Sequence, residues 1–156
     1  MNMDSSAKNM IFGDELMPLV RDHLAAGQPV RYLSFRGISM LPMLRQGIDS
    51  VELSPLPARL KKYDLPVYQR SSGQYVMHRI VGVKDDHYIC IGDNQFQFEK
   101  VRHSQMIGVV TAFTRGDRLW QVSNPIYKFY CRFWHISRPL RHFWRRGIGW
   151  LRRHLT

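Results

Sequence analysis

Apolar positions recur along this chain with two different periods, and the places where the period changes set the expected architecture. In 14–27, DELMPLVRDHLAAG, residues Leu16, Leu19, Val20 and Leu24 fall at helical spacing. Pro18 fits only the first turn of such a helix, and Gly27 is placed to end it. From Val30 the period becomes two: VRYLSFR, DSVELS, DLPVYQR, QYVMHRIVGV, HYICI, QMIGVVTAFT and RLWQVS are short β-branched or aromatic runs bounded by Gly, Pro, Asp and Ser. These predict mostly antiparallel strands. Pro66 marks an edge strand or a strand start, Ser71-Ser72-Gly73 reads as a hairpin turn, and Asp85-Asp86 marks the turn after it.

Helical spacing returns after Asn124-Pro125. Ile126, Phe129, Tyr130, Phe133 and Trp134 make one stripe, Pro139 interrupts it, and Leu140, Phe143, Trp144, Ile148, Leu151 and Leu155 make a second. Arg141, Arg145 and Arg152 fall mainly on the opposite side, the pattern of a basic amphipathic helix. The pattern as a whole predicts a mainly β fold of antiparallel strands with an N-terminal helix and a C-terminal basic helical tail. The expected divisions are a loose leader over 1–13, a β domain with its helix over 14–123, and the tail over 124–156.

Composition narrows the function classes. At 156 residues and 44% hydrophobic the chain suits one domain with a real core. Cys90 and Cys131 stand far apart with no Cys-x-x-Cys, which argues against a zinc ribbon or a disulfide-stapled module and suits a reducing compartment. His23, His87, His103, His135, His142 and His154 show no metal-ligand spacing, and no phosphate loop or dinucleotide fingerprint occurs, so neither a metal nor a cofactor is expected. The opening MNMDSSAKNM lacks the apolar stretch of a signal peptide, and no apolar run reaches the ~20 residues of a membrane span. The expectation is a cytoplasmic protein, peripheral on the inner membrane face if it meets a membrane at all.

Charge separates body from tail. Residues 1–123 carry 15 basic and 12 acidic residues, a net of +3, whereas Asp117 is the last acid and eight Lys or Arg residues follow Asn124. With Tyr127, Tyr130, Trp134, Trp144 and Trp150 among those cations, an anionic membrane surface is the favoured partner of 124–156. Nucleic acid is the weaker competitor, through phosphate contacts and base stacking.

The candidate chemistry centres on RGISMLPML, which sets the Ser39 hydroxyl between a glycine and a proline at a turn. A serine nucleophile needs a base near neutrality and donors for the developing oxyanion. His78 supplies the base: alternation in QYVMHRIVGV places it on one face with Val76 and Ile80, whose desolvation favours neutral imidazole. Asp93, at a glycine-flanked turn after a short strand, is the candidate to orient the imidazole. Arg79 is expected in a surface or structural ion pair, and Met40 in a substrate pocket or in the core.

In this order, GISMLPML, GIDSVEL, KKYDLPVYQR, YVMHRIVGV, YICIGDNQ and MIGVV resemble the superfamily of type I signal peptidases and LexA-like self-cleaving repressors. The match spans 30–113. The resemblance implies a β-rich serine peptidase in which Ser39 is the nucleophile, His78 the general base of the histidine-using branch, and Asp93 of the Gly92-Asp93-Asn94 box its assistant, with Glu99 as the alternative third group. Gly37, Ser39, Met40 and Pro42 are the expected oxyanion and substrate-binding residues. Gly37 stands where many relatives carry a hydroxyl residue, so backbone donors such as the Ser39 N–H would form the oxyanion hole. The implied substrate is a peptide or protein precursor, cut at a leader or propeptide. The alternatives are a catalytically silent domain that binds peptide, membrane or nucleic acid, and a self-cleaving regulator, for which Ala26-Gly27 is a scissile analogue set against its simpler reading as a helix cap.

Overall fold

A computed structural model of the chain describes residues 13–33 and 37–145. The 1–12 stretch of the expected leader and the Ile148, Trp150, Leu151, Arg152 and Leu155 end of the second tail stripe lie outside the described residues. Among the described residues, none of the helices is long and apolar enough to cross a membrane.

The chain is mainly β, with antiparallel strands, an N-terminal helix and a C-terminal helical tail. Helix α1 (Gly13–Ala25) precedes β1 (Val30–Leu33), β2 (Ser50–Ser54), β3 (Pro66–Gln69), β4 (Tyr75–Met77), β5 (Arg79–Val83), β6 (His87–Ile91), β7 (Glu99–Arg102), β8 (Met106–Arg115) and β9 (Arg118–Gln121). Helix α2 (Pro125–Ile136) follows, then helix α3 over 138–145. One sheet runs β1-β2-β8-β3-β4 with β9 also paired to β8, and a second runs β5-β6-β7. All pairings are antiparallel.

The expected helix forms, with two corrections. It begins at Gly13, so Pro18 lies in its second turn. Its core face is Met17, Val20 and Leu24, while Leu19 is exposed, because the sheet takes the side of the helix centred on Met17. Gly27, at φ 78°, closes it: the Gly27 N–H bonds the Leu24 carbonyl and the Gln28 N–H bonds the His23 carbonyl, a paired cap that needs left-handed backbone at C′. Ala26-Gly27 is therefore the helix cap.

Two apolar clusters form the core. The first joins α1, β1, β2 and β8 to Met40, Met43, Leu44, Tyr127 and Cys131. The second lies around Tyr68, Val76, Ile80, Tyr88, Cys90, Val101 and Met106. The run QYVMHRIVGV crosses between the two sheets, β4 belonging to one and β5 to the other, and His78 is the residue at the crossing. Pro66 starts β3, which is an interior strand rather than an edge.

Candidate active site

Ser39 and His78 line one cleft of about 430 Å³, bounded on one side by Gly37–Met40 and on the other by Gln74–His78, with Asn94 and Arg145 at its rim. Ser39 is half-buried and His78 is 2% exposed. Their side chains share no hydrogen bond among the described contacts. In free enzymes the nucleophile–base bond is often long and tightens when substrate binds.

The imidazole is held through Nδ1. Tyr68 donates its hydroxyl to Glu99 Oε2 at 3.2 Å and lies 3.1 Å from His78 Nδ1, and Glu99 Oε1 is 3.3 Å from the same nitrogen. A hydroxyl that donates to a carboxylate has only lone pairs left for Nδ1, so Nδ1 carries the proton and Nε2 presents its lone pair. Nε2 has no hydrogen-bond partner among the described residues. Burial pushes the His78 pKa down to about 4, against the smaller upward pull of Glu99. Burial likewise pushes the Tyr68 hydroxyl up, so it stays protonated and a donor.

Glu99 is fixed in turn by Arg70, whose Nε donates to Oε2 at 2.9 Å and whose Nη2 bonds Oε1. Partial burial works to raise the Glu99 pKa, but hydrogen bonds and charge from Arg70 and His78 outweigh it, so the carboxyl is held ionised, below its usual range. The result is a chain from Arg70 through Glu99 and Tyr68 to the imidazole.

Asp93, expected to orient His78, does other work. Its carboxylate is fully buried and takes two hydrogen bonds from Arg79, Nε to Oδ1 at 2.8 Å and Nη2 to Oδ2 at 2.7 Å, plus one from the Tyr130 hydroxyl at 3.1 Å. The reason is the strand period: His78 and Arg79 are neighbours on one run, so they point to opposite sides, and Asp93 lies on the arginine's side. Arg79, 1% exposed, also donates to Tyr127 Oη at 2.9 Å and to Cys131 Sγ and Met43 Sδ at 3.0 Å. Its ion pair is thus structural and buried, not superficial. Burial opposes the Arg79 charge, but Asp93 holds the guanidinium pKa well above its ordinary value.

The Gly-Asp-Asn turn nonetheless builds the serine loop. Asn94 donates its backbone N–H to the Ser39 carbonyl at 2.8 Å and its side-chain amide to the Ile38 carbonyl at 3.1 Å. Gly92 lies so close that a Cβ there would sit 2.7 Å from the Ser39 carbonyl oxygen and 3.1 Å from Ser39 Cβ. Farther along, buried Asp49 ties the loop to the β8–β9 turn through Arg45 at 2.8 Å, Arg115 at 3.4 Å and the Gly116 N–H at 3.1 Å. Burial alone would raise the Asp49 pKa, but these donors bring it to about 2.

The remaining expected residues divide. Met40 both lines the cleft and is 5% exposed within the core. Gly37 lines the cleft, but its N–H is donated to Gln46 Oε1 at 2.8 Å, so it is not an oxyanion donor. The Ser39 N–H has no acceptor among the described residues. Pro42 is not in the cleft: it lines a separate apolar hollow with Phe113, Trp120 and Ile126, since the loop has turned away by that point. Tyr68 and Arg70 are not among the expected site residues, and Asn94 is expected only as part of the Gly92-Asp93-Asn94 box. A tyrosine in an otherwise apolar run was the available signal for the first, since a buried hydroxyl needs a partner. Among the described residues no cluster of His, Cys, Asp and Glu could hold a metal ion.

No protein-family model, no curated protein and no solved structure matches this chain.

Proposed function

We propose that the chain is a serine endopeptidase that cleaves a peptide or protein precursor, with Ser39 as nucleophile, His78 as base and Glu99, not Asp93, as the group that orients the base. The observation that carries this reading is the arrangement around His78: Nδ1 is engaged by Tyr68 and Glu99, and the residue lines the same cleft as Ser39.

In this scheme Ser39 Oγ attacks the scissile carbonyl carbon as its proton passes to His78 Nε2. The tetrahedral oxyanion accepts from the Ser39 N–H. Collapse breaks the C–N bond, the leaving amine takes the proton from Nε2, and water then releases the acyl group by the same route. Glu99 and the Tyr68 hydroxyl stabilise the imidazolium that forms in each half, which offsets the low basicity that burial imposes. Strand β4 ends its sheet, and its residues line the cleft, so a substrate can pair along that edge as an added strand and reach Ser39 in extended form. Work at the inner face of a membrane belongs to the same reading, since the excess charge lies in the tail.

The test is cleavage of a mixed library of extended peptides by purified protein, with product ends read by mass spectrometry. The parent chain yields products with a common cleavage register, and Ser39→Ala lowers the rate by about 10³-fold or more. Equal cleavage by Ser39→Ala would sink the proposal.

A further inference from the structure

Helix α2 is apolar on more than one side, and the sheet takes only one of them. Tyr127 and Cys131 are buried against the body, with Tyr130 and Trp134 half-buried beside them. The other apolar side faces outward: Ile126, Phe129, Phe133 and Ile136, continued on α3 by Leu140, Phe143 and Trp144, are each between 56% and 77% exposed. The helical path carries across the junction through Ser137 N–H to the Phe133 carbonyl and Arg141 N–H to the Ser137 carbonyl. The spacing alternates three and four residues, so these side chains form one continuous stripe. A soluble monomer seldom leaves such a row of large rings in water.

We infer that this outward stripe is a docking surface for an anionic lipid membrane, on which the two helices lie parallel to the surface. Charge selects the occupant. Lys128 and Arg132 are exposed beside the stripe, Arg145 is exposed at its far end, and Arg141 is half-buried. No Asp or Glu follows Asp117 anywhere in the sequence. The three-four spacing is also that of a helix-pairing seam, but a second copy would bring the same cations against these with no acid to answer them. Four of the seven stripe residues are Phe or Trp, where such seams are built from β-branched residues and leucines, and Trp favours the headgroup layer.

The inner side of the same helices explains why docking would matter. Trp134 Nε1 donates to the Asp93 carbonyl at 2.8 Å and Tyr130 Oη to the Asp93 carboxylate, and the adjoining Asn94 holds the Ser39 loop. Arg145 lies at the rim of the Ser39 cleft. Docking through the outer stripe therefore holds the cleft at a fixed height and tilt above the lipid. The inference concerns binding alone and is independent of whether Ser39 is a nucleophile.

The experiment is sedimentation of the full chain with sucrose-loaded vesicles of phosphatidylcholine, with and without phosphatidylglycerol. The expected result is retention on the phosphatidylglycerol vesicles. The double variant Phe129→Ser, Phe133→Ser loses affinity by about tenfold or more through lost ring burial. Lys128→Gln with Arg132→Gln loses a comparable factor, which vanishes on the neutral vesicles. Both pairs are exposed, and unchanged thermal melting confirms that the fold is intact. Ser39→Ala binds as the parent does. Absence of vesicle binding overturns the inference, as does vesicle binding that the phenylalanine pair leaves unchanged. A stripe-dependent dimer or a stripe-dependent complex with an RNA oligonucleotide, formed without affinity for vesicles, overturns it as well.

Discussion

Two carboxylate–guanidinium pairs flank the crossing between the sheets, and they are built from the same groups in opposite environments. Asp93 and Arg79 are 0% and 1% exposed in their side chains, and the rest of the guanidinium is satisfied by a hydroxyl, a thiol, a thioether and a carbonyl. Glu99 and Arg70 are 23% and 34% exposed, and a histidine nitrogen and a tyrosine hydroxyl are the additional partners of the carboxylate. The difference teaches what each pair is for. A fully enclosed pair contributes little net stability when intact but is very costly to halve, so it suits a joint that never opens. A half-open pair that touches an imidazole can answer a change of charge on that imidazole, so it suits a site where a proton moves.

The sharpest way to break the comparison is to halve each pair in turn. Asp93→Asn leaves the Arg79 charge buried without its partner, and the expected loss is about 3–5 kcal/mol of unfolding free energy by urea denaturation. Glu99→Gln keeps shape and hydrogen bonding at a partly solvated position, and the loss is about 1 kcal/mol or less. Peptide cleavage ranks the other way: Glu99→Gln lowers kcat by about 10²–10⁴-fold, with the same assay run on whatever fraction of Asp93→Asn remains folded. Equal destabilisation by the two substitutions would erase the distinction between joint and site.

A second effect of similar size concerns pH. The folded pKa of His78 is about 4, below the ~6.5 of an unfolded chain. Between those values the unfolded chain binds the proton and the folded chain does not, so stability falls as pH falls through that window. The contribution is fully present above about pH 6.5 and is lost as pH falls through about 4, a loss of about 3 kcal/mol. Half-buried His135 is shifted down as well, by burial and then by nearby cations, and adds a slope of the same sign. The difference in urea midpoints between parent and His78→Gln, followed from pH 7 to 4, isolates the His78 share. On the catalytic side, kcat/KM stays level to about pH 5 and declines only as the base protonates. A decline centred near pH 6.5 would place the imidazole in water and break the contrast with its buried neighbours.

Periodicity made most of the fold legible, and the failures have physical causes. The helix, the hairpin at Ser71-Ser72-Gly73 and the strands of the body follow from the change of period. Strand β7, EKVR, escapes because Val101 is its only buried residue, and only pairing with β6 defines it. Ser39 and His78 were legible as candidates, and both line one cleft. The choice between Asp93 and Glu99 was not, because both follow β6 and the chain reverses between them. Alternation held a clue: an arginine flanked by Met77, His78 and Ile80 in a buried run requires an enclosed acid, and His78 must face the other way. In α2 periodicity draws Ile126, Phe129, Tyr130, Phe133 and Trp134 as one stripe, and the structure splits it, with Tyr130 and Trp134 half-buried and the other three exposed. The body instead takes Tyr127 and Cys131, whose hydroxyl and thiol satisfy Arg79, and leaves Ile126, Phe129 and Phe133 outside. Side-chain polarity inside the core decided the rotation of the helix, and that demand is invisible until Arg79 is known to be buried.

The smallest expected effect on stability sits between the buried pair and the serine loop, at the Gly92-Asp93-Asn94 turn. Asp93 faces the joint, while Asn94 reaches across to the Ile38 and Ser39 carbonyls. Asn94→Ala keeps the backbone bond to Ser39 and removes only the amide bond to Ile38, an exposed contact worth about 1 kcal/mol. Stability therefore changes little. The Ser39 loop, however, loses one of the contacts that hold it in the cleft shared with His78, and displacement of about 1 Å can cost 10²-fold in rate. The expected outcome is a lowered kcat with a urea midpoint close to the parent's. Asn94→Asp tests the same contact by sign, since a carboxylate cannot donate to the Ile38 carbonyl and repels it. If both variants cleaved at the parent's rate, the Asn94 amide would have no part in the site, and the serine loop would owe its position to the Asn94 backbone bond, Gly92 packing and the Asp49 anchor.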